Sequence, residues 1–377
     1  MKSILLFGYY GYGNAGDELL LRKTISLVRE VYPKASLSVL YPLNRSEVRS
    51  PKIKRMFTCP LPLVPPHWGG TTTRSEIKRI NRFSPYAILK AVSASDLVIG
   101  GGGSLFQDKT SFRSLLYYAS ILKLAHLFKK KVVLLGQGVG PLSRSLSQWI
   151  VRHVFNTAKS ISVRDPLSHD TLLELGVRQP IVSSADLGFN REVISDSVFH
   201  PQGKILLALH PRENSSGLSQ LIQTALPLEE PPEFIFLECQ KGDRKVMVHD
   251  GLLPFVKEIW SLNELFSSSN HPSDVEHKRH PQGTVPISCL ISTRYHACVW
   301  AALHGIPFLT LGEDPKLRSL SESLKQEYIS LGDITSASLT LRRVCATLSS
   351  YHQNLIETVP YIITQSENNK IALRNVI

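Results

Sequence analysis

Arg294 and His296 stand two residues apart, where an apolar run from Ile287 to Ile291 stops at Ser292 and Thr293 and a helix is expected to begin. An arginine holds an anion with a planar fork of N–H donors, and an imidazole titrates close enough to neutrality to pass a proton. A helix N-terminus adds free N–H groups and the positive end of the macrodipole. In an open α/β sheet, ligands collect beyond the carboxyl ends of the strands. The spacing therefore predicts that Arg294 grips an anionic donor while His296 acts as general acid or anion ligand. The competing expectation is a buried arginine paired with a carboxylate, beside a histidine that only packs.

Other apolar runs also end in groups that could do chemistry. Gly8-Tyr9-Tyr10-Gly11-Tyr12-Gly13-Asn14-Ala15-Gly16-Asp17-Glu18 follows a predicted strand and opens a helix, and its glycines let backbone N–H groups approach a ligand. Gly11, Gly13 and Gly16 match the dinucleotide fingerprint, but the acidic residue expected about 20 positions later is replaced by Leu40-Tyr41-Pro42. Asn14 and Gly16 are candidate substrate contacts. Asp17 and Glu18 either cap the helix or accept a proton, and both roles can hold together. Gly100 to Gly103 form a run of four glycines after a strand, suited to an anion-binding nest, with Gly101, Gly102, Gly103 and Ser104 as candidate contacts and Gln107 and Asp108 alongside. The alternative is a tight turn that needs no ligand.

Gly136-Gln137-Gly138-Val139-Gly140-Pro141 closes a further strand and adds Gln137 to the candidates. Arg164 follows Ser162-Val163 and could hold an acidic substrate or pair with Asp165, although adjacent residues rarely face each other. Ala185-Asp186-Leu187-Gly188-Phe189 reads as a strand-to-linker turn. In the second half, His210-Pro211-Arg212, Cys239-Gln240-Lys241-Gly242-Asp243 and Gly312-Glu313-Asp314-Pro315-Lys316 end three strands, and Lys316 could help neutralise a phosphate or carboxylate.

These groups must be positioned by alternating strands and helices. Strands are predicted at Ser3–Phe7, Leu37–Leu40, Leu97–Ile99, Val132–Leu135, Ser160–Val163 and Ile181–Ser183, with helices at Asp17–Val31, Arg74–Ala94, Phe112–Phe128, Ser145–Thr157 and Pro166–Leu175. Gly176 is placed to cap the last helix. A second set has strands at Ile205–Leu209, Glu233–Leu237, Ile287–Ile291 and Phe308–Leu311, and helices at Leu218–Ala225, Arg244–Pro254, Leu262–Ser267 and His296–His304. Pro42–Gly70 and Ser267–Gly283 read as exposed excursions, and Asn190–Gly203 as a link. The pattern predicts an α/β protein with two doubly wound domains facing a cleft, at residues 1–190 and 200–335. A helical segment, 336–377, would be able to cross back onto the first domain.

At 377 residues, two domains are the natural expectation. Lys+Arg 43 against Asp+Glu 31 gives a net charge of +12, compatible with nucleic acid, an anionic membrane surface or acidic small substrates. No interleaving of aromatic and basic residues suits single-stranded nucleic acid, so no nucleic-acid partner is expected. Lys129 to Lys131 read as cations at a helix C-terminus. The five cysteines are scattered without a paired spacing, which argues against a disulfide framework and a zinc site. The first apolar run is too short for a signal peptide, and no run approaches the roughly 20 apolar residues of a membrane span. A soluble, cytoplasmic chain is expected, with a basic surface able to dock on the inner membrane face.

The motifs at 8–18, 100–108, 136–141 and 162–165, extended by Ser292-Thr293-Arg294-Tyr295-His296-Ala297 and Asp314-Pro315-Lys316, together resemble the polysaccharide pyruvyl transferase family, its CsaB-type members in particular. The resemblance runs in order to about Lys325. It implies a GT-B-like pair of Rossmann-like domains and transfer of a pyruvyl group from phosphoenolpyruvate to a sugar. The product would be a ketal on a cell-envelope glycan or its lipid-linked precursor. Phosphoenolpyruvate would be a co-substrate, with no cofactor and no metal. The first domain would take the acceptor and the second the donor. Arg294, Lys316 and Arg164 would hold the donor's anions, His296 would act as acid, and Asp17 or Glu18 as base. Departures from the family pattern are Tyr295 in place of leucine, at a position expected to face inward, and Asp186-Leu187-Gly188-Phe189 in place of Asp-Pro-Ala-Phe. A nucleotide-sugar glycosyltransferase of the same architecture is the first rival, and a non-catalytic glycan- or nucleic-acid-binding protein the second.

Overall fold

Short strands buried on both faces, separated by amphipathic helices, build two parallel sheets. The computed structural model describes residues 2–43, 77–190, 199–211, 221, 233–249, 252, 256–268, 285–330 and 334–376. The predicted excursion Pro42–Gly70 from residue 44, the basic residues Lys52, Lys54 and Arg55, and Cys59 lie outside them. So do Arg212, most of the predicted helix Leu218–Ala225 and the loop Ser267–Gly283 from residue 269.

The first sheet contains β1 (Ser3–Phe7), β2 (Ser36–Tyr41), β3 (Lys78–Asn81), β4 (Leu97–Gly100), β5 (Gly103–Phe106), β6 (Lys131–Val139), β7 (Ser160–Val163) and β8 (Ile181–Ser183). Their order is β3-β2-β1-β4-β6-β7-β8, with β5 paired onto β6. The helices are α1 (Ala15–Val31), α2 (Pro85–Ala94), α3 (Phe112–Leu127), α4 (Ser145–Phe155) and α5 (Pro166–Glu174). Alternate residues of β1 serve two cores: Leu5 and Phe7 pack with Leu115, Tyr118, Leu122 and Phe155, while Ile4 and Leu6 pack with Leu20, Leu21, Ile25 and Val28. A strand covered on both faces has no polar side to show, which is why these runs are continuously apolar.

The second sheet contains β9 (Phe199–Ala208), β10 (Phe234–Glu238), β11 (Val256–Ser261), β12 (Ile287–Ser292), β13 (Phe308–Leu311) and β14 (Glu327–Ile329), in the order β11-β10-β9-β12-β13-β14. Its helices are α6 (Lys245–His249), α7 (Leu262–Ser268), α8 (Tyr295–Leu303), α9 (Pro315–Ser323), α10 (Ile334–Ala346) and α11 (Leu348–Ser366), and α12 (Asn368–Arg374) ends the chain's helices. Every strand pair in both sheets is parallel. Each sheet reverses its winding once, between β1 and β4 in the first and between β9 and β12 in the second. A crevice opens at such a switch because the flanking connections leave to opposite faces.

The chain divides into two compact units, the first made of 1–13, 17–187 and 364–377, the second of 14–16 and 188–363. The helices α10 and most of α11 therefore belong to the second unit, and only the last residues return to the first. α12 is fastened there by Asn369, which is fully buried. Its Oδ1 accepts from the Ser162 hydroxyl (2.6 Å), and its Nδ2 donates to the Ala185 and Ser366 carbonyls at 3.0 and 2.9 Å. Asn369→Ala leaves buried partners unsatisfied and is expected to destabilise the first unit by about 1–3 kcal/mol for each group left without a bond. Urea unfolding followed by a probe within that unit checks this.

Several local expectations are corrected. The helix predicted over Arg74–Ala94 is instead β3 followed by α2, because Ser84 caps a new helix at Pro85 (Ala87 N–H to Ser84 Oγ, 3.3 Å) and Lys78–Asn81 pairs with β2. Residues 74–76 lie outside the described set. β5, β11 and β14 carry no strand signature in the sequence; their runs are short or interrupted by charge, and pairing with a neighbour makes them strands. Gly136 to Val139 of the third glycine motif lie within β6, and Gly140 and Pro141 follow it. Gly176 does follow α5 with φ +75°, as a C-terminal glycine should. Cys289 and Cys298 are fully buried in the apolar interior.

Candidate functional site

The switch point of the second sheet is knitted by hydroxyl side chains. Ser292 Oγ donates to the Ala208 carbonyl (3.1 Å) and accepts from the Arg294 N–H (2.8 Å). The Thr293 N–H donates to the same Ala208 carbonyl (2.9 Å), and Thr293 Oγ1 accepts from the His210 N–H (2.7 Å). The ends of β9 and β12 are thus fixed to each other, and α8 leaves from the join. Its N-cap residue is Arg294 itself, which provides no side-chain cap. The first-turn N–H groups of α8 therefore receive no acceptor from that side chain, and a helix N-terminus is a place that attracts anions.

Arg294 forms an ion pair through Nη2 with Asp243 Oδ1, and both side chains are largely buried. Asp243 is oriented by the Cys239 and Gln240 N–H groups, which donate to Oδ2 at 3.2 and 3.0 Å. Burial pushes the Asp243 carboxyl above the usual carboxylate range, opposed by the Arg294 charge and those hydrogen bonds. The competing expectation for Arg294, a carboxylate partner, is therefore realised. It does not exhaust the guanidinium, whose Nε is buried with no hydrogen-bond partner among the described residues. A guanidinium carries five N–H donors, so an anion can still be held beside the pair.

His296 occupies the first turn of α8, packed against backbone from far along the chain. A Cβ added to Gly16 would lie 2.0 Å from His296 Nδ1 and 2.8 Å from its Cβ, so only glycine fits there. Residues 14–16 belong to the second unit. They are anchored by the Ala15 N–H donating to the Cys239 carbonyl (2.9 Å), and Asn14 Oδ1 accepts from the Gly16 N–H (3.1 Å). Asn14 thus supports Gly16 by a local turn. Tyr295 meets His296 edge-on with ring centroids 5.4 Å apart, and it is half-buried. Lys316 lies at the carboxyl end of the adjacent β13, half-buried, with its N–H capped by Asp314 Oδ1 (3.1 Å).

The first unit holds the remaining candidates. Asp17 and Glu18 lie in the first turn of α1. Glu18 Oε1 accepts from the Gly11 N–H (2.6 Å), tying the glycine-rich turn to the helix, and burial raises its carboxyl pKa against the pull of that bond, Arg22 and Arg79. Gly101 and Gly102 are packed by this unit's own side chains: a Cβ on Gly101 would meet the Tyr10 hydroxyl at 1.8 Å, and one on Gly102 would meet Leu187 and Leu20. Gly103 begins β5 with φ +115°. Close packing and the turn between β4 and β5 account for these glycines without a ligand.

Gln137 is fully buried, and its Nε2 donates to the Gly100, Gly101 and Leu135 carbonyls at 3.3, 2.6 and 3.0 Å. Through Nε2 it latches the glycine turn, while its Oε1 is buried without a hydrogen-bond partner among the described residues. Arg164 is likewise structural. It pairs with Asp186 (3.0 Å) at 3% and 0% side-chain exposure, donates to Ser104 Oγ (3.1 Å), and only grazes Asp165 at 3.4 Å. Asp165 instead caps α5 through the Ser168 N–H (2.7 Å). Arg164→Met should cost about 3–5 kcal/mol by leaving the Asp186 charge buried, and the double substitution Arg164→Met, Asp186→Leu should recover much of it. Thermal melting of the three proteins measures this.

Asp243 is the site residue that sequence reasoning undervalued. It stood in a strand-end motif, but nothing local marks it as the partner of an arginine 51 residues away. A surface cavity of about 430 Å³ lined by Arg152, His153, Asn156, Arg178 and Gln179 lies beside the segments entering β7 and β8, at the wrong edge of the sheet for a ligand crevice. Among the described residues, no group of three or more His, Cys, Asp or Glu side chains is placed to hold a metal ion, and no helix is long and apolar enough to cross a membrane.

Comparison with known proteins bears on both the sequence and the fold. A sequence model for the family described as polysaccharide pyruvyl transferase matches residues 14–239. A search of curated proteins finds no match. Solved structures similar to this chain include Anabaena HepE in complex with UDP and glucose, at 12% identity and a TM-score of 0.59, covering 100% of this chain and 98% of that one. The UDP-GlcNAc 2-epimerase of Neisseria meningitidis bound to UDP-GlcNAc matches at 12% identity and 0.58, covering 100% and 99%. S. aureus MnaA with UDP matches at 11% and 0.59, covering 100% and 96%. At such identities the likeness is one of fold, the GT-B type with two parallel-sheet α/β units.

Proposed function

The chain belongs to the polysaccharide pyruvyl transferase family, and from that premise we propose that it moves the pyruvyl group of phosphoenolpyruvate onto a sugar of a cell-envelope glycan or its lipid-linked precursor. The observation that carries this reading is the juxtaposition of Arg294 and His296 at the start of α8, where the N-cap side chain makes no capping bond, on the switch point of the second sheet. Phosphoenolpyruvate presents a phosphate and a carboxylate on three carbons. Arg294, the first-turn N–H groups of α8 and Lys316 hold those anions by charge-assisted bonds. Arg164 and Gln137 are given no part in this, since the Arg164 guanidinium pairs with Asp186 and Gln137 is fully buried with its Nε2 bonded to backbone carbonyls.

Protonation of the methylene carbon by His296 makes the central carbon electrophilic. A sugar hydroxyl attacks it, giving up its proton to Asp17 or Glu18 in the first turn of α1. Phosphate then leaves and takes up the proton held by the carboxylate, and a second hydroxyl closes the ketal, its proton restoring His296. CsaB-type specificity, a cytoplasmic location and contact with the inner membrane face are parts of the same proposal. The nucleotide-sugar reading is favoured only by the UDP-bound neighbours, whose likeness is of fold.

Phosphate release from phosphoenolpyruvate in the presence of a panel of disaccharides and their lipid-linked forms tests the reading. No release with any acceptor, together with a thermal shift on adding a UDP-sugar, would overturn it. The pH profile carries a further expectation. Glu18 must be ionised to accept a proton and burial raises its pKa, so turnover should rise with pH through a limb lying above the ordinary carboxylate range. Glu18→Gln should lower kcat and abolish that limb; an unchanged profile assigns the base to Asp17.

A further inference from the structure

β3 delivers to its carboxyl end a residue that the sequence motifs pass over. Arg82 is only 5% exposed. Its Nη1 donates to the Gly8 carbonyl (3.1 Å) and its Nη2 to the Tyr118 hydroxyl (3.2 Å). The guanidinium carbon lies 5.1, 4.9 and 5.9 Å from the ring centroids of Tyr12, Tyr117 and Tyr118. Ring faces attract the cation but carry no net charge. Among the described residues no carboxylate pairs with it, and its Nε is buried without a hydrogen-bond partner. An arginine stays charged in proteins, and a buried charge is ordinarily paired. Burial also keeps the Tyr117 and Tyr118 hydroxyls protonated, so neither supplies the missing anion.

Gly8 follows β1, whose carboxyl end lies at the switch point of the first sheet. In the turn that follows, Tyr9 and Tyr12 stack with centroids 4.5 Å apart, and Tyr9 is 37% exposed. Phe83, next to Arg82, is 65% exposed. Gly13 has no atom within 4 Å of the place a Cβ would take, so the turn borders open space. Exposed aromatic faces are apolar surfaces with a polar tip, suited to the C–H face of a pyranose ring.

We propose that Arg82, with the Tyr9–Tyr12 stack, forms a subsite for an anionic sugar, the ring lying on the aromatic faces and a phosphate or carboxylate substituent meeting the guanidinium. This rests on the reading above only in making that sugar the acceptor.

Titration calorimetry on the full chain with glucose 1-phosphate, glucuronate, glucose and inorganic phosphate tests it. At least one of the two sugar anions should bind about tenfold or more tighter than both glucose and phosphate, and their ranking tells a phosphate substituent from a carboxylate. Arg82→Lys keeps the charge but loses the fork, and should weaken sugar-anion binding about tenfold. Tyr9→Ala, a surface change that leaves the fold intact, should weaken sugar-anion binding and leave inorganic phosphate unaffected. Sugar anions binding no tighter than glucose, or both variants binding like wild type, would overturn the subsite. So would displacement of glucose 1-phosphate by phosphoenolpyruvate, which would make this a donor site. If sugar anions bind but phosphoenolpyruvate binds nowhere, the pyruvyl transfer reading falls and the subsite stands.

Discussion

Arg294→Met is expected to abolish phosphate release from phosphoenolpyruvate and to destabilise the second unit by about 3–5 kcal/mol, because it leaves the Asp243 charge buried without its partner. The two effects must be separated, since a partly unfolded protein is also inactive. Asp243→Asn provides the separation. It removes the charge while leaving a side-chain oxygen to accept the Cys239 and Gln240 N–H bonds. The double variant Arg294→Met, Asp243→Asn should therefore melt well above the single variant and remain inactive. Its recovery of turnover along with stability would show that Arg294 serves only the fold. Asp243→Asn alone should fold, and it should bind phosphoenolpyruvate at least as tightly as wild type because a neighbouring negative charge is gone.

The second large effect is expected from adding a single methyl group. In Gly16→Ala the new Cβ would fall within 2.8 Å of three His296 atoms, including its Cβ, so swinging the ring about its own bonds does not clear the clash. Either the 14–16 segment or the start of α8 must shift. Overpacking of this kind costs about 1–3 kcal/mol. A displacement of about 1 Å at a proton-transferring group can cost about 100-fold in rate. Gly16→Ala should thus lower kcat about 100-fold with a modest loss of thermal stability. If the effect works through His296, adding Gly16→Ala to His296→Ala should cost little more, since residues that act as a unit are not additive. Near-normal turnover of Gly16→Ala would remove His296 from the mechanism as drawn.

Much of the fold was legible because burial on both faces leaves a local signature. β1 and β4 are apolar runs, β7, β12 and β13 are interrupted only by small hydroxyl residues, and the capping residues Asp165, Asp314 and Gly176 stand where their helices begin or end. The strands that escaped notice are the ones whose identity depends on a neighbour. Lys78–Asn81 has no apolar pattern and becomes β3 only by pairing with β2. The four-glycine run shows the same limit. A gap for a ligand and a gap for a packed side chain call for the same residue, and only the positions of Tyr10, Leu20 and Leu187 distinguish them.

The sequence by itself determined that two parallel α/β sheets would form and that polar motifs would gather at strand ends, because periodicity and helix capping are decided within a few residues. It also placed Arg294 and His296 at the start of one helix. What each polar group does was decided by tertiary structure alone. Arg164 and Arg294 both end apolar strands. Arg164 is spent on Asp186, in a pair shut from solvent, whereas Arg294 shares its charge with Asp243 at the mouth of a switch point. Gly16 could be known as the floor beneath His296 only once the chain had folded back on itself. The physical reason is the same throughout: an ionisable group takes its role from the charges, donors and close contacts around it, and those arrive from residues distant in the chain.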